Sequence, residues 1–257
     1  MIILYSVICI VAGVLGLRMD ALNKMGALAS VIVGTAVAFG FGWRGLVLLG
    51  VFFVTSTGWS KYKCERKNTI NQIVVKGAAR DEAQVFANGG AAAFAGLMMG
   101  IFPSTWWLAF FISALATSIA DTWASEIGVL SKKPPFHILN LKLVPRGTSG
   151  AVSILGFLAS IVAASLLSGV GFLLFGFSSS LFLAATFAGI LGCLLDTIIG
   201  ATIQEEFYCE RCEIKTEHHY HCGHKTIQTR GVRGINNDAV NIISSVCGGL
   251  AGGVWFL

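Results

Sequence analysis

The sequence predicts an all-α fold: a polytopic helical membrane bundle of about eight transmembrane helices with both termini outside. Three observations lead there. Of the 257 residues, 55% are hydrophobic and 12% are charged, where an ordinary soluble domain carries about 25% charged residues. The mean hydropathy is +0.76. The charges fall in short segments between long apolar runs, and a bilayer crossing needs roughly 20 such residues. This composition excludes a disordered chain, a disulfide scaffold and a coiled coil, and it argues against a soluble enzyme. Residues 1–257 are expected to form a single transmembrane domain, with a cytoplasmic Cys/His-rich loop at 205–238 inserted between the last two helices.

The first run, Ile2–Leu17, lacks a basic flank and a small-residue cleavage site, so it is expected as a retained helix rather than a removed signal. Gly26–Gly42 and Gly45–Ser60 are short and Gly-rich, and fused they would overrun one crossing. Val85–Ile101, Thr105–Leu130, Gly150–Phe172, Leu181–Gln204 and Ala239–Leu257 complete the set. Segments 18–25, 61–84, 131–149 and 205–238 hold 17 of the 18 Lys and Arg residues, with Arg44 the exception. Eight crossings place all four segments on one side, and an excess of Lys and Arg marks that side as cytoplasmic. The expected location is therefore the cell membrane, with the polar site facing the cytoplasm. The net charge of +5 is a topology signal in this reading. Nucleic acid is not expected as a partner, because no basic stretch interleaved with aromatics stands apart from these loops. Gly96 and Gly100, and Gly248 and Gly252, are four apart, a spacing that lets membrane helices approach closely.

Ionisable and polar groups at membrane depth are costly and mark sites by default. Four clusters qualify. On a helix, Asp81, Gln84 and Asn88 form one stripe entering the bundle, although Asp81 and Glu82 also suit a helix N-terminus. Thr117, Asp121 and Ser125 share a face, and Ser118, Thr122 and Glu126 share the adjacent one. A carboxylate flanked by hydroxyls suits a hard cation such as Mg²⁺. The segment Lys142 to Gly150, with Arg146, Gly147, Thr148 and Ser149, combines hydroxyls, glycines and a helix start. That is either a phosphate cradle or a loop with Thr148 or Ser149 as N-cap. Asp196 closes the seventh span beside Gly200 and Gln204, while Asn237 and Asn241 open the eighth, where Asp238 is either a site residue or a cap. Ala120-Asp121-Thr122 is echoed by Leu195-Asp196-Thr197, a short internal similarity.

The 205–238 loop concentrates four of the five histidines. Cys209-x-x-Cys212 and His219-x-x-Cys222 are paired knuckles suited to a tetrahedral structural Zn²⁺, with His221 and His224 as rival fourth ligands. Cys9, Cys193 and Cys247 lie within spans, and Cys64 with the rest falls in cytoplasmic loops, where thiols stay reduced.

The stretches KGAARDEAQVFANGG (76–90), ADTWASEIGVLS (120–131), PRGTSGAVSILG (145–156), LLDTIIGATIQ (194–204) and NNDAVNIISS (236–245) resemble, in the same order, the integral-membrane family that includes plant phytyl-phosphate kinase and vertebrate transmembrane protein 19. A looser similarity extends to the dolichol kinase, phytol kinase and phosphatidate cytidylyltransferase group. The resemblance implies a phosphotransferase that uses Mg²⁺ and CTP, or another nucleoside triphosphate, to convert an isoprenyl monophosphate to the diphosphate. It implies Mg²⁺ held by Asp121 and Asp196, with Asp81 or Glu126 nearby, and phosphates met by Lys76, Arg80, Lys142 and Arg146. Gln84, Asn88, Gly147, Thr148, Ser149, Asn237, Asp238 and Asn241 would complete the phosphate contacts. Partners are then the isoprenyl-phosphate lipid, the nucleotide and membrane lipids.

Two other enzyme classes, a prenyl-alcohol kinase and a nucleotidyltransferase, need similar contacts. An ion-coupled transporter would use the same carboxylates but would place them near the midplane. A non-catalytic scaffold would depend on the Cys/His loop instead.

Overall fold

The computed structural model describes residues 1–62 and 79–255. Lys76 and Cys64 lie outside these residues. Among the described residues seven helices run in order: α1 (Ile2–Arg18), α2 (Lys24–Lys61), α3 (Glu82–Ile101), α4 (Thr105–Gly128), α5 (Ile154–Phe175), α6 (Ser179–Thr202) and α7 (Asn237–Val254). Five of them (α2 to α6) are long and apolar enough to cross a membrane.

The break expected between the second and third spans lies inside α2. Gly42 has φ 59° and ψ −150°, a conformation open essentially to glycine alone. The chain folds back there. Gly34 on the first arm faces Leu46 on the second, and at the far end the Lys61 amine donates to the Met19 carbonyl. An unbroken helix of this length would hold those ends about 55 Å apart. The two arms bring the number of helical segments among the described residues to eight, as the charge pattern requires.

Six helices start on a polar cap. The side chains of Asn23, Asp81, Ser104, Ser153, Ser178 and Asn236 accept hydrogen bonds from backbone N–H groups in their helices' first turns, satisfying donors that a helix leaves orphaned. This corrects two expectations. α5 does not start at Gly150 under a Thr148 or Ser149 cap. Gly147 and Gly150 have φ of 85° and 83°, and the chain forms strand β2 (Ala151–Val152), paired with β1 (Phe136–His137), before Ser153 caps the helix. Nor does Asp238 cap α7, because Asn236 does.

The centre of the bundle is α4, whose residues 109–120 are all buried. It packs against α3, α5, α6 and α7. Small residues permit this closeness. A side chain at Gly248 or Gly252 would run into Thr117 or Ser113 of α4, and one at Gly96 into the α2 backbone at Ala36 and Val37. The perimeter is apolar, with Ile3, Leu173, Leu183 and Phe187 all exposed. Such a surface needs lipid rather than water around it.

Between α6 and α7 the chain forms a β-ribbon rather than an irregular loop. Strand β3 (Glu206–Cys209) lies between β4 (Ile214–Thr216) and β7 (Ile227–Arg230), and β5 (Tyr220–His221) pairs with β6 (His224–Lys225). Arg230 fastens the ribbon to the membrane domain by donating to the carbonyls of Ala201 (2.7 Å) and Gly200 (3.1 Å) at the end of α6. A cation there also meets the negative end of the helix dipole. The described parts of the four basic segments meet at this end of the bundle. Arg44 sits at the opposite end, over the rings of Trp43 and Phe175.

Candidate functional site

Three neighbouring cavities, with lining residues in common, lie toward the polar end. The first, of about 250 Å³, is lined by Asp121, Ser125 and Glu126 from α4, by Asp196 and Thr197 from α6, by the 146–150 turn, and by Asn237. Two carboxylates far apart in sequence therefore face one space. Asp121 and Asp196 lie about two turns before the ends of their helices, and both are half-buried.

Each wall has its own support. On the α6 side, Ser244 donates to Asp196 Oδ2 at 2.8 Å. The Asn241 amide, turned so that its nitrogen faces the acid, donates to the same oxygen at 3.1 Å. This orientation is assigned from the hydrogen-bond partners. Donors of this kind hold a carboxylate in one orientation. On the α4 side, Glu126 accepts from Ser60 at 2.6 Å, tying α4 to α2. The turn between them is built by its glycines and by Thr148, which donates to the Pro145 carbonyl at 2.8 Å. Ser149 donates to the Gly200 carbonyl at 2.7 Å, fixing the turn against α6. Arg146 lies at the edge, its guanidinium donating to Ser131 O at 2.7 Å.

The second cavity, of about 130 Å³, lies under the ribbon and is lined by Asp81, Gln84, Gln204, Glu205, Glu217, His219 and the 236–238 segment. Gln204, Glu217 and Asn237 border both polar cavities. The third, of about 190 Å³, is an apolar slot between α1, the two arms of α2, and α3. Its polar mouth carries Arg80, Gln84 and Asn88, and Gln84 also borders the second cavity. Arg80 is held there by both ends. Its backbone N–H donates to Ala21 O, and its carbonyl accepts from Asn23 N. Its guanidinium lies over Phe52 and Phe53.

The candidate residues thus divide among the spaces. Asp121, Glu126, Asp196, Arg146, Gly147, Thr148, Ser149 and Asn237 share the first. Asp81 and Asp238 border the second, and Asp81 doubles as the cap of α3 by accepting from Gln84 N at 2.9 Å. Asn241 stands behind Asp196 rather than in the cavity lining. Lys142 is exposed on the 138–143 turn, away from all three linings. Glu217 borders both polar cavities and Ser244 supports Asp196 although no sequence pattern marks either, whereas Gln204 shares the helix face of Asp196 and Gly200. Gln204 donates to Glu217 Oε1 at 2.8 Å, joining α6 to the ribbon.

The donor set suits a hard cation and anionic oxygens. Carboxylates and hydroxyls from α4 and α6 offer only oxygen, as Mg²⁺ prefers. Among the described residues, the Asn237 side-chain nitrogen is buried without an acceptor, and its residue borders both polar cavities. An unsatisfied buried donor costs about 1–3 kcal/mol, which an anionic ligand would recover.

Outside the membrane domain, Cys209, Cys212, His221 and Cys222 cluster on the ribbon. Backbone N–H groups, chiefly that of Cys212, bring the Cys209 thiol down to about 7. The neighbouring Cys222 sulfur pushes Cys212 up to about 11.

Over residues 7–249 the chain matches the family model described as integral membrane protein DUF92. The chain belongs to this family and is a multi-pass membrane protein, as the motif resemblance implied. It is 29% identical over 246 residues to an uncharacterized membrane protein, MJ0933, of Methanocaldococcus jannaschii, covering 96% of this chain and 90% of the relative. Protein PGR of Arabidopsis thaliana is 30% identical over 255 residues, covering 88% and 86% of the two chains. Protein VTE6, chloroplastic, of the same plant is 27% identical over 239 residues, covering 91% of this chain and 65% of the relative. No solved structure matches.

Proposed function

We propose that this chain is a membrane-embedded kinase that transfers a phosphoryl group from a nucleoside triphosphate, CTP by resemblance, to an isoprenyl monophosphate at the cytoplasmic face. One observation carries the reading: the Asp121 and Asp196 cavity and an apolar slot whose mouth holds Arg80, Gln84 and Asn88 both share lining residues with the space under the ribbon. A phosphorylated lipid needs such a slot for its tail and a cation at its head. The membership of VTE6 in the same family supports the reading, given the phosphotransferase activity that the motifs suggest.

In this reaction an oxygen of the acceptor monophosphate attacks the γ-phosphorus. The bond from that phosphorus to the bridging oxygen breaks, and its electron pair leaves with the nucleoside diphosphate. The acceptor is already anionic near neutral pH, so no strong base is required. Transfer then depends on alignment and charge neutralisation. Asp121 and Asp196 would hold Mg²⁺, which would supply that neutralisation when bound. The 146–150 turn and the Asn237 amide orient the nucleotide phosphates, Arg146 closes the outer edge, and Arg80 meets the acceptor phosphate.

The test uses purified protein in lipid nanodiscs with Mg²⁺, labelled CTP, ATP, GTP or UTP, and phytyl, farnesyl or geranylgeranyl monophosphate. The expected products are a prenyl diphosphate and a nucleoside diphosphate, both lost in Asp121→Ala. Full activity in the Asp121→Ala/Asp196→Ala double variant, or no prenyl diphosphate with any nucleotide, would overturn the proposal.

A further inference from the structure

The ribbon holds a side-chain cluster that the cavities do not use. Cys209 ends β3 and Cys212 follows one turn later. His221 and Cys222 sit where β5 turns into β6. Their four potential ligand atoms all lie within 4.8 Å of one another. A tetrahedral zinc with ligands at about 2.0–2.3 Å separates them by about 3.3–3.8 Å, so one ion fits among them. Cys212 Sγ is 2.8 Å from Cys222 Sγ, and Cys222 Sγ is 3.1 Å from His221 Nδ1. All three sulfurs are free thiols. The turns that carry them are tight: Glu213, Cys222 and Gly223 all have positive φ. At the first turn, the backbone N–H groups of Cys212 and Arg211 point at the Cys209 sulfur.

The geometry differs from the spacing-based expectation in its histidine. His219 is directed the other way, with Nε2 3.5 Å from Glu205 and its ring 4.4 Å from that of Phe207. Strand pairing explains the choice: β5 places His221 opposite His224 at the turn, next to Cys222. His224 stays outside the cluster, its Nδ1 at 2.9 Å from the Cys222 carbonyl.

We propose that Cys209, Cys212, His221 and Cys222 bind one Zn²⁺ in a closed tetrahedral site that orders the ribbon holding Glu217 and His219 over the polar cavity. Three soft thiolates and an imidazole select zinc over hard cations, and four protein ligands leave no open position for catalysis. The order is transmitted along the chain between the two ligand pairs. That stretch holds β4, which pairs with β3, and the carbonyls of His218 and His219, which accept from Thr226 at 2.6 and 3.0 Å. Glu217 and His219 are thereby set against Gln204 and Glu205. This inference rests on the ribbon alone and is independent of the kinase reading.

The experiment measures zinc in the full-length protein purified in detergent from zinc-supplemented cells, with zinc-edge X-ray absorption on the same sample. Expected are one zinc per chain and a shell of three sulfurs and one nitrogen. His221→Ala should lose zinc to a chelator at least about tenfold more readily, while His219→Ala and His224→Ala hold it as the parent does. Since cysteine variants can fail to fold, the structural role is tested by stripping the intact protein. Limited trypsin digestion should then cut at Arg211 or Lys215, and added Zn²⁺ should restore protection. A protein without zinc, an oxygen-rich shell, loss of zinc in His219→Ala but not in His221→Ala, or equal cleavage with and without metal would overturn the proposal.

Discussion

Ser244 on α7 donates a 2.8 Å hydrogen bond to Asp196 on α6, so the seventh helix positions an acid that the sixth supplies. If Asp196 works on phosphate chemistry, losing this bond misplaces the acid without removing it. Ser244→Ala should then lower kcat/KM about fivefold, the effect of about 1 kcal/mol for one hydrogen bond. Asp196→Ala and Asp121→Ala should each cost at least about 100-fold, as for other groups that stabilise developing charge. Prenyl diphosphate formation in nanodiscs measures all three.

The apolar slot can be filled without disturbing its walls. Gly50 lines it, and a Cβ there would meet nothing within 4 Å. Gly50→Phe should therefore exclude the acceptor tail, raising its KM by about tenfold or more, since burying an aromatic-sized apolar group is worth about 1.5–3 kcal/mol. The KM for nucleotide should not change. Equal effects on both substrates would place the acceptor elsewhere.

Asn237 offers a buried donor to the first two cavities. Asn237→Leu should raise the nucleotide KM by about tenfold, because hydrogen bonds to charged groups contribute about 1.5–3 kcal/mol. The thermal midpoint should hold or rise, as the leucine leaves no buried amide unsatisfied. Nucleotide titrations and thermal unfolding in detergent separate these effects.

The hairpin in α2 depends on one backbone conformation. Gly42→Ala places a side chain at φ 59°, ψ −150°, which costs about 1–3 kcal/mol. The thermal midpoint should fall by several degrees. Gly50→Ala, in a helical and open position, is the control and should raise the midpoint slightly or leave it unchanged. Equal destabilisation of both would show that the turn at Gly42 does not need its glycine.

By itself the sequence determined the membrane bundle and the family. Those properties follow from local patterns: apolar run length, polar caps, and Lys and Arg gathered at one end. It also singled out Asp121 and Asp196, because an acid within an apolar run stands out whatever surrounds it. Tertiary structure alone decided what each polar residue faces. Asp81 was equally legible as a cap or a site group, and it caps α3 while bordering a cavity. Lys142, four residues before Arg146, is exposed and lines none of the three cavities. Ser244 and Glu217 carry no spacing signal, since each acts through a partner 13 or more residues away. The histidine of the Cys/His cluster shows the same limit. Knuckle spacing favours His219, but β5–β6 pairing brings His221 to the sulfurs and leaves His219 facing Glu205. Sequence spacing fixes the reach of a chain, but the direction of a side chain depends on strand register and helix packing, which only the folded chain specifies.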